Sequence, residues 1–230
     1  MKRYIWCEDS ASGLQFWNAV FEVIDSKIQV QSKGNNSRLR QAAERISADE
    51  NQYFILVDSA VDNADVLREL KKLHRGIEGK HNVKVINIHS FEYALLSFEF
   101  LEDWVFARED KLRARRTDLL VARKQLIDIQ EKGGDVDSLH ELSESLKLAR
   151  QLNTEQLSSR LLFAITRNTG FETDKSHLGE CFVNDCCEWA GRQIDDMCGL
   201  DSNRKSGTEK IRHIIDYSVI KQALQKVGLS

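Results

Sequence analysis

Three acidic side chains stand just beyond runs of apolar sequence: Glu8 after Tyr4-Ile5-Trp6-Cys7, and Asp58 and Asp62 after the run Tyr53 to Val57. Carboxylates are hard oxygen ligands. One or two suffice for Mg²⁺, which keeps several of its waters, and a further acid admits a second ion. Two such ions activate a water and stabilise the leaving oxygen of a phosphodiester. Glu8, Asp58 and Asp62 are therefore the expected ligands of Mg²⁺ (or Mn²⁺). Glu92, in the first turn of a later predicted helix, is a further candidate ligand, although an acid there also suits the helix dipole. Lys33 follows another apolar run and is placed to neutralise developing negative charge. His89 is a candidate phosphate ligand or general acid, with a structural histidine as the plainer alternative.

These residues meet only if the chain carries them to one place. Tyr4–Cys7, Ile28–Gln31, Tyr53–Val57 and Val83–Ile88 read as strands. The third is apolar throughout, as expected of a strand buried on both faces. Between them lie helical stripes: Leu14, Trp17, Phe21 and Ile24 behind a cap at Ser12; Leu39, Ala42, Ala43 and Ile46 from Ser37; Val66, Leu70, Leu73 and Ile77 behind Asn63. Phe91, Leu95, Phe98 and Leu101 form a fourth. Strands alternating with such helices predict βαβ units and a parallel, Rossmann-like sheet over residues 1–106. Every strand then ends on one rim, where ligands bind in open α/β sheets. Glu8, Lys33, Asp58 and His89 each follow a strand and are expected there.

Residues 107–165 read as a helical arm. One helix runs from Ala107 to Ile129, Gly133-Gly134 breaks it, and stripes through Leu139, Leu142, Leu146 and Ala149, then Leu157, Leu161, Leu162 and Ile165, continue it. From Arg108 to Lys124 there are seven basic residues against three acids. Arg113, Arg115, Arg116 and Lys124 are the candidate nucleic-acid contacts, since phosphate attraction dominates such binding. Ion pairs such as Asp110 with Arg113 are the alternative use.

Residues 166–230 form a small cysteine-containing region closed by an amphipathic helix, Ile211 to Val227. His177, Cys181, Cys186 (or Cys187) and Cys198 could hold a tetrahedral structural zinc. The spacing is not a paired Cys-x-x-Cys, and Trp189, Ile194 and Met197 point instead to a small packed core. An odd count of five cysteines, four of them within 181–198, predicts a reducing, cytoplasmic setting. No stretch reaches the ~18 apolar residues of a membrane span, and the N-terminus lacks the apolar segment of a secretion signal. With 41% hydrophobic and 30% charged residues and a net charge of −3, a buried core is expected and disorder is not.

Cys7-Glu8-Asp9-Ser10 after the first strand and Asp58-Ser59-Ala60-Val61-Asp62-Asn63 after the third resemble a TOPRIM domain, the topoisomerase–primase fold also found in OLD-family and related phage-defence nucleases. That signature is a Glu after the first strand and Asp-x-Asp after the third, jointly binding Mg²⁺. By resemblance Glu8 takes the Glu position and Asp58 the first Asp. The second Asp position is Ala60, with Asp62 two residues on, and Asp9 stands where a glycine is usual. The resemblance implies a Mg²⁺-dependent nuclease, or nuclease subunit, acting on DNA or RNA in bacterial anti-phage defence. With no Gly-rich phosphate loop in the chain, ATP-driven sensing would fall to a separate ATPase partner. Ala60 favours the alternative of an inactive TOPRIM-like adaptor. Glu8-Asp9 and Asp58 also mimic the acids of a receiver-like domain. Whether copies of the chain associate is left open.

Overall fold

The computed structural model describes residues 1–58, 62–148, 152–187 and 197–229. The expected positions Ala60, Ala149, Trp189 and Ile194 lie outside them. Four strands form one all-parallel sheet: β1 (Arg3–Cys7), β2 (Ile28–Ser32), β3 (Gln52–Asp58) and β4 (Val83–Ile88), in the order β2-β1-β3-β4. The fold is thus α/β and of the Rossmann-like kind. Crossovers are made by α1 (Ala11–Ile24), α2 (Asn36–Glu44) and α3 (Ala64–Gly76).

Alternation along β3 divides the core in two. Phe54 and Leu56 face the larger cluster, with Ile5 and Cys7 of β1 and Phe16, Trp17, Val20 and Phe21 of α1. Ile55 and Val57 face the smaller, with Leu39 and Ala43 of α2 and Leu73 of α3. Two side chains in every four are buried on each face, which is why β3 reads as unbroken apolar sequence. Arg40 of α2 bonds Glu69 of α3 at 2.8 Å and Glu44 at 2.6 Å, holding these two helices together.

The larger cluster continues through the rest of the chain. After β4 come α4 (Phe91–Ser97), α5 (Leu101–Val105), α6 (Lys111–Arg115), α7 (Thr117–Glu131), α8 (Val136–Ser145), α9 (Thr154–Thr166), α10 (Glu180–Val183), α11 (Gly207–Asp216) and α12 (Val219–Val227). Leu126, Leu139, Leu157, Leu162, Phe182, Ile214 and Leu224 share one apolar cluster with Ile5 and Phe16. The helices within 107–165 therefore pack on the sheet domain instead of reaching away from it. Among the described residues no helix is long and apolar enough to cross a membrane.

Several helices break where periodicity alone predicts continuity. The expected helix from Ala107 starts only at Lys111, where Asp110 accepts from Leu112 N at 2.6 Å, and it splits at Arg116. The last helix splits at Tyr217-Ser218, where Ser218 caps α12. The stripe through Leu101 divides at Phe98, whose backbone is extended. Ser10 and Asn35, not Ser12 and Ser37, precede α1 and α2. Ser12 is buried.

Candidate functional site

The strand order locates the site. The chain leaves β1 towards β2 on one side and leaves β3 towards β4 on the other, so the two crossovers diverge between adjacent strands. A crevice opens at such a switch point, at the carboxyl ends of the strands. Glu8 follows β1 and Asp58 ends β3, one on each side of it. Their carboxyls are near enough to act on one another, the contact lowering Glu8 and raising Asp58, so that Asp58 is the one of the two that holds a proton more firmly. Asn36, at the start of α2, also bonds Glu8.

Four further charged side chains line the open cleft of about 380 Å³ around this pair: Asp9, Glu92, Glu155 and Lys175. Asp9 turns towards α1, where Trp17 Nε1 donates to its Oδ2 at 2.9 Å. Gly13 permits this approach, since a Cβ there would lie 2.5 Å from Asp9 Oδ1. Glu92 is only 7% exposed, in the first turn of α4, behind Ser90, which caps the helix by accepting from Tyr93 N at 3.1 Å. Glu155 comes from the first turn of α9, whose start is fixed by a capping box between Asn153 and Gln156.

Crowded acids of like charge resist ionisation. Burial pushes Asp58 well above the usual carboxylate range, and the charges of Asp9, Glu8 and Glu155 push it further. Glu8 is raised by burial, partly offset by its contacts with Asp58 and Asn36. Asp9 rises to about 6 and Glu92 to about 7, burial being the largest cause in both. Cys7, directly before Glu8, is raised to about 12 by burial, which removes it as a nucleophile at neutral pH.

The other expected site residues are distributed as follows. Asp62 Oδ2 accepts from Thr154 N at 2.5 Å and from Thr154 Oγ1 at 3.0 Å. It thereby anchors the start of α9, one residue before Glu155. His89 lies edge-on to Tyr93 with ring centroids 4.9 Å apart, and burial lowers its pKa. Lys33 is not among the residues lining the cleft: its Nζ sits 3.8 Å above the Trp6 ring and bonds Gln31 Oε1 at 3.0 Å. Among the described residues, Lys175 is the cation lining the cleft.

The basic run serves two ends. Arg116 is buried, and its guanidinium donates to the carbonyls of Ile165 and Arg167, so it is spent on the fold and cannot reach a phosphate. Arg123 likewise donates to Leu96 and Phe98 carbonyls, each at 2.6 Å. Arg113 is paired with Glu102 at 2.7 Å. Arg115 and Lys124 are exposed.

Among the described residues, no group of three or more His, Cys, Asp or Glu side chains stands ready-made to hold a metal. For the cysteines the reason is visible. Cys198 is buried in the larger core, Cys186 Sγ accepts from Lys205 N at 3.3 Å, Cys181 packs against Gly170, and His177 is exposed. For the acids, Asp62 is committed to Thr154 and Asp9 to Trp17, which leaves Glu8 and Asp58 as a contacting pair. An all-oxygen pair whose shared proton would be displaced is a donor set that fits one Mg²⁺ or Mn²⁺ retaining its waters.

Sequence reasoning overlooked Glu155, Asn36 and Lys175. Asn153-Thr-Glu-Gln156 announces a helix start and nothing more, because an acid in a first turn is ordinary. Comparison with protein-family models, curated proteins and solved structures finds no match to this chain.

Proposed function

We propose that the chain is a Mg²⁺- or Mn²⁺-dependent phosphodiester-cleaving enzyme, or the nuclease subunit of one, with a TOPRIM-like site at the β1/β3 crevice. The observation that carries this reading is the contact between the Glu8 and Asp58 carboxyls. Acids that share a proton across two strand ends replace it readily with a divalent cation. Glu8 and Asp58 would hold that ion, with Glu92 and Glu155 as further oxygen donors. Bound there, the metal supplies an activated water and charge stabilisation at phosphorus. Lys175, on the same cleft, is placed to meet a phosphate oxygen. The sequence resemblance assigns the activity to bacterial anti-phage defence, with DNA or RNA as substrate and a separate ATPase as partner.

The test is a titration of Mg²⁺ and Mn²⁺ against plasmid DNA and structured RNA. Cleavage by the wild-type chain that is abolished in Glu8→Gln supports the reading. No cleavage with either metal, alone or alongside a partner ATPase, rejects it.

The second reading is an inactive adaptor. It is favoured by the diversion of Asp62 to Thr154: among the described residues no three acids stand assembled as ligands. An adaptor would bind its partner equally well in the presence of a chelator. The receiver-like alternative fares worse. A carboxyl that burial pushes well above the usual range is a poor nucleophile towards a phosphoryl group, so a small phosphodonor should leave Asp58 unlabelled.

A further inference from the structure

The helix that follows Glu8 begins without a cap. α1 starts behind Ser10, whose side chain makes no capping hydrogen bond, and its first turn carries no acid. By contrast α2, α3, α4, α9 and α12 are each capped by a side chain that accepts from a backbone N–H. The first N–H groups of a helix have no carbonyl one turn back to donate to. Those of Ala11, Ser12 and Gly13 find no acceptor among the described residues. Asp9 does not serve them. It approaches Gly13 from the side and takes the Trp17 indole N–H instead.

A second observation points the same way. Ser12 is 1% exposed and lines the acidic cleft, and its buried Oγ has no hydrogen-bond partner. A hydroxyl left unpaired in this way costs the fold stability, and native proteins tolerate few. Ser12 lies in the first turn, so no earlier turn of helix restricts its χ1 and the hydroxyl can face the cleft. Ala11 beside it has φ +43°, in the left-handed region that residues with a Cβ rarely adopt. Three backbone donors and one hydroxyl thus converge where α1 meets the cleft.

Donors at a helix N-terminus suit an anion. The rest of the cleft repels one, since Glu8, Asp9, Asp58, Glu92 and Glu155 all line it, against Lys175. The occupant must therefore satisfy donors and acids together. A tetrahedral phosphate presents oxygens in several directions. One can meet the helix donors while another meets a cation on Glu8 and Asp58.

We propose that the N-terminus of α1, with the Ser12 hydroxyl, is a phosphate subsite of the carboxylate cleft. It deepens the nuclease reading by placing the substrate's phosphate, and its part in cleavage rests on that reading. Its capacity to bind phosphate does not.

The probe is inorganic phosphate, titrated into the full-length chain in excess Mg²⁺ and, in parallel, in chelator. Amide NMR reports where it binds and calorimetry how tightly. The Ala11, Ser12 and Gly13 amide signals should move and saturate in Mg²⁺, and binding should weaken in chelator, where the acids stand uncompensated. Ser12→Ala should weaken phosphate about tenfold, the loss of one hydrogen bond to a charged group, with Mn²⁺ affinity unchanged. Ser10→Asn, at an exposed position, supplies the missing cap without adding charge. It should raise the melting temperature and weaken phosphate by a similar factor, because the cap then occupies the same donors. Three silent amides, or phosphate affinity unchanged in both Ser12→Ala and Ser10→Asn, overturns the subsite. Saturable amide shifts in a chain that cleaves no phosphodiester with either metal reject the nuclease and leave the subsite standing. Cleavage with silent amides does the reverse.

Discussion

Asp62 and Thr154 are joined by two hydrogen bonds across 92 residues of sequence. The contact fastens the β3–α3 connection to the first turn of α9, and Glu155 follows directly. Asp62 thus acts on the acidic cleft through another residue. Asp62→Ala should cost about 2 kcal/mol, the range for a hydrogen bond made by a charged group. It should also weaken Mn²⁺ binding through displacement of Glu155. Calorimetry on Asp62→Ala, Glu155→Gln and the double variant checks this. The double variant should bind no more weakly than the worse single one, and additive losses would separate the two residues.

The raised acids make the metal-free protein sensitive to pH. Asp9 at about 6 and Glu92 at about 7 bind protons more tightly in the folded chain than in the unfolded one, where a carboxylate titrates in its ordinary range. Their contribution is complete below that ordinary range and is lost as pH rises through 6 and 7. Urea midpoints measured in chelator should therefore fall between pH 5 and pH 8. The loss attributable to Glu92 is at most about 3 kcal/mol. Glu92→Gln should flatten the curve, and a midpoint rising with pH would contradict the assignment.

On the proposed reading, metal and proton compete for the Glu8–Asp58 pair. Binding of Mn²⁺ near pH 6 should release about one proton. Calorimetry in two buffers of different ionisation enthalpy reads that number directly. Release should disappear in Asp58→Asn, and affinity should climb steeply as pH is raised.

Two arginines of the basic run belong to the fold. Removing Arg116 or Arg123 strands two carbonyl groups in each case and should cost roughly 3 kcal/mol by chemical denaturation. Arg115→Glu should stay within about 0.5 kcal/mol of wild type, as an exposed substitution does. Oligonucleotide affinity measured on Arg115→Glu and Lys124→Glu then reports on phosphate contact free of unfolding.

The sheet was legible because burial leaves its mark on sequence. The run Tyr53 to Val57 must satisfy two apolar clusters, and β1 and β4 are each followed by a polar residue, Glu8 and His89, just where the rim begins. The Glu8–Asp58 pairing followed from strand ends alone. Glu155 was not legible, since its position depends on how α9 docks, which no local pattern records. Arg116 and Arg123 read as surface charge because a guanidinium that serves distant carbonyls looks, in sequence, like any other. The splits at Arg116 and Tyr217 interrupt stripes whose apolar spacing continues unbroken, so periodicity misses them.

Adjacent strands are ~4.8 Å apart, a distance set by their shared backbone hydrogen bonds. Because β1 and β3 are neighbours, with Trp6 paired to Ile55, the ladder brings the end of β1 and residue 58 together, and Glu8 follows one residue beyond the strand. For the proposed ion, size preference would then follow side-chain length: shortening residue 8 by one methylene, as in Glu8→Asp, widens the gap between the two carboxyls.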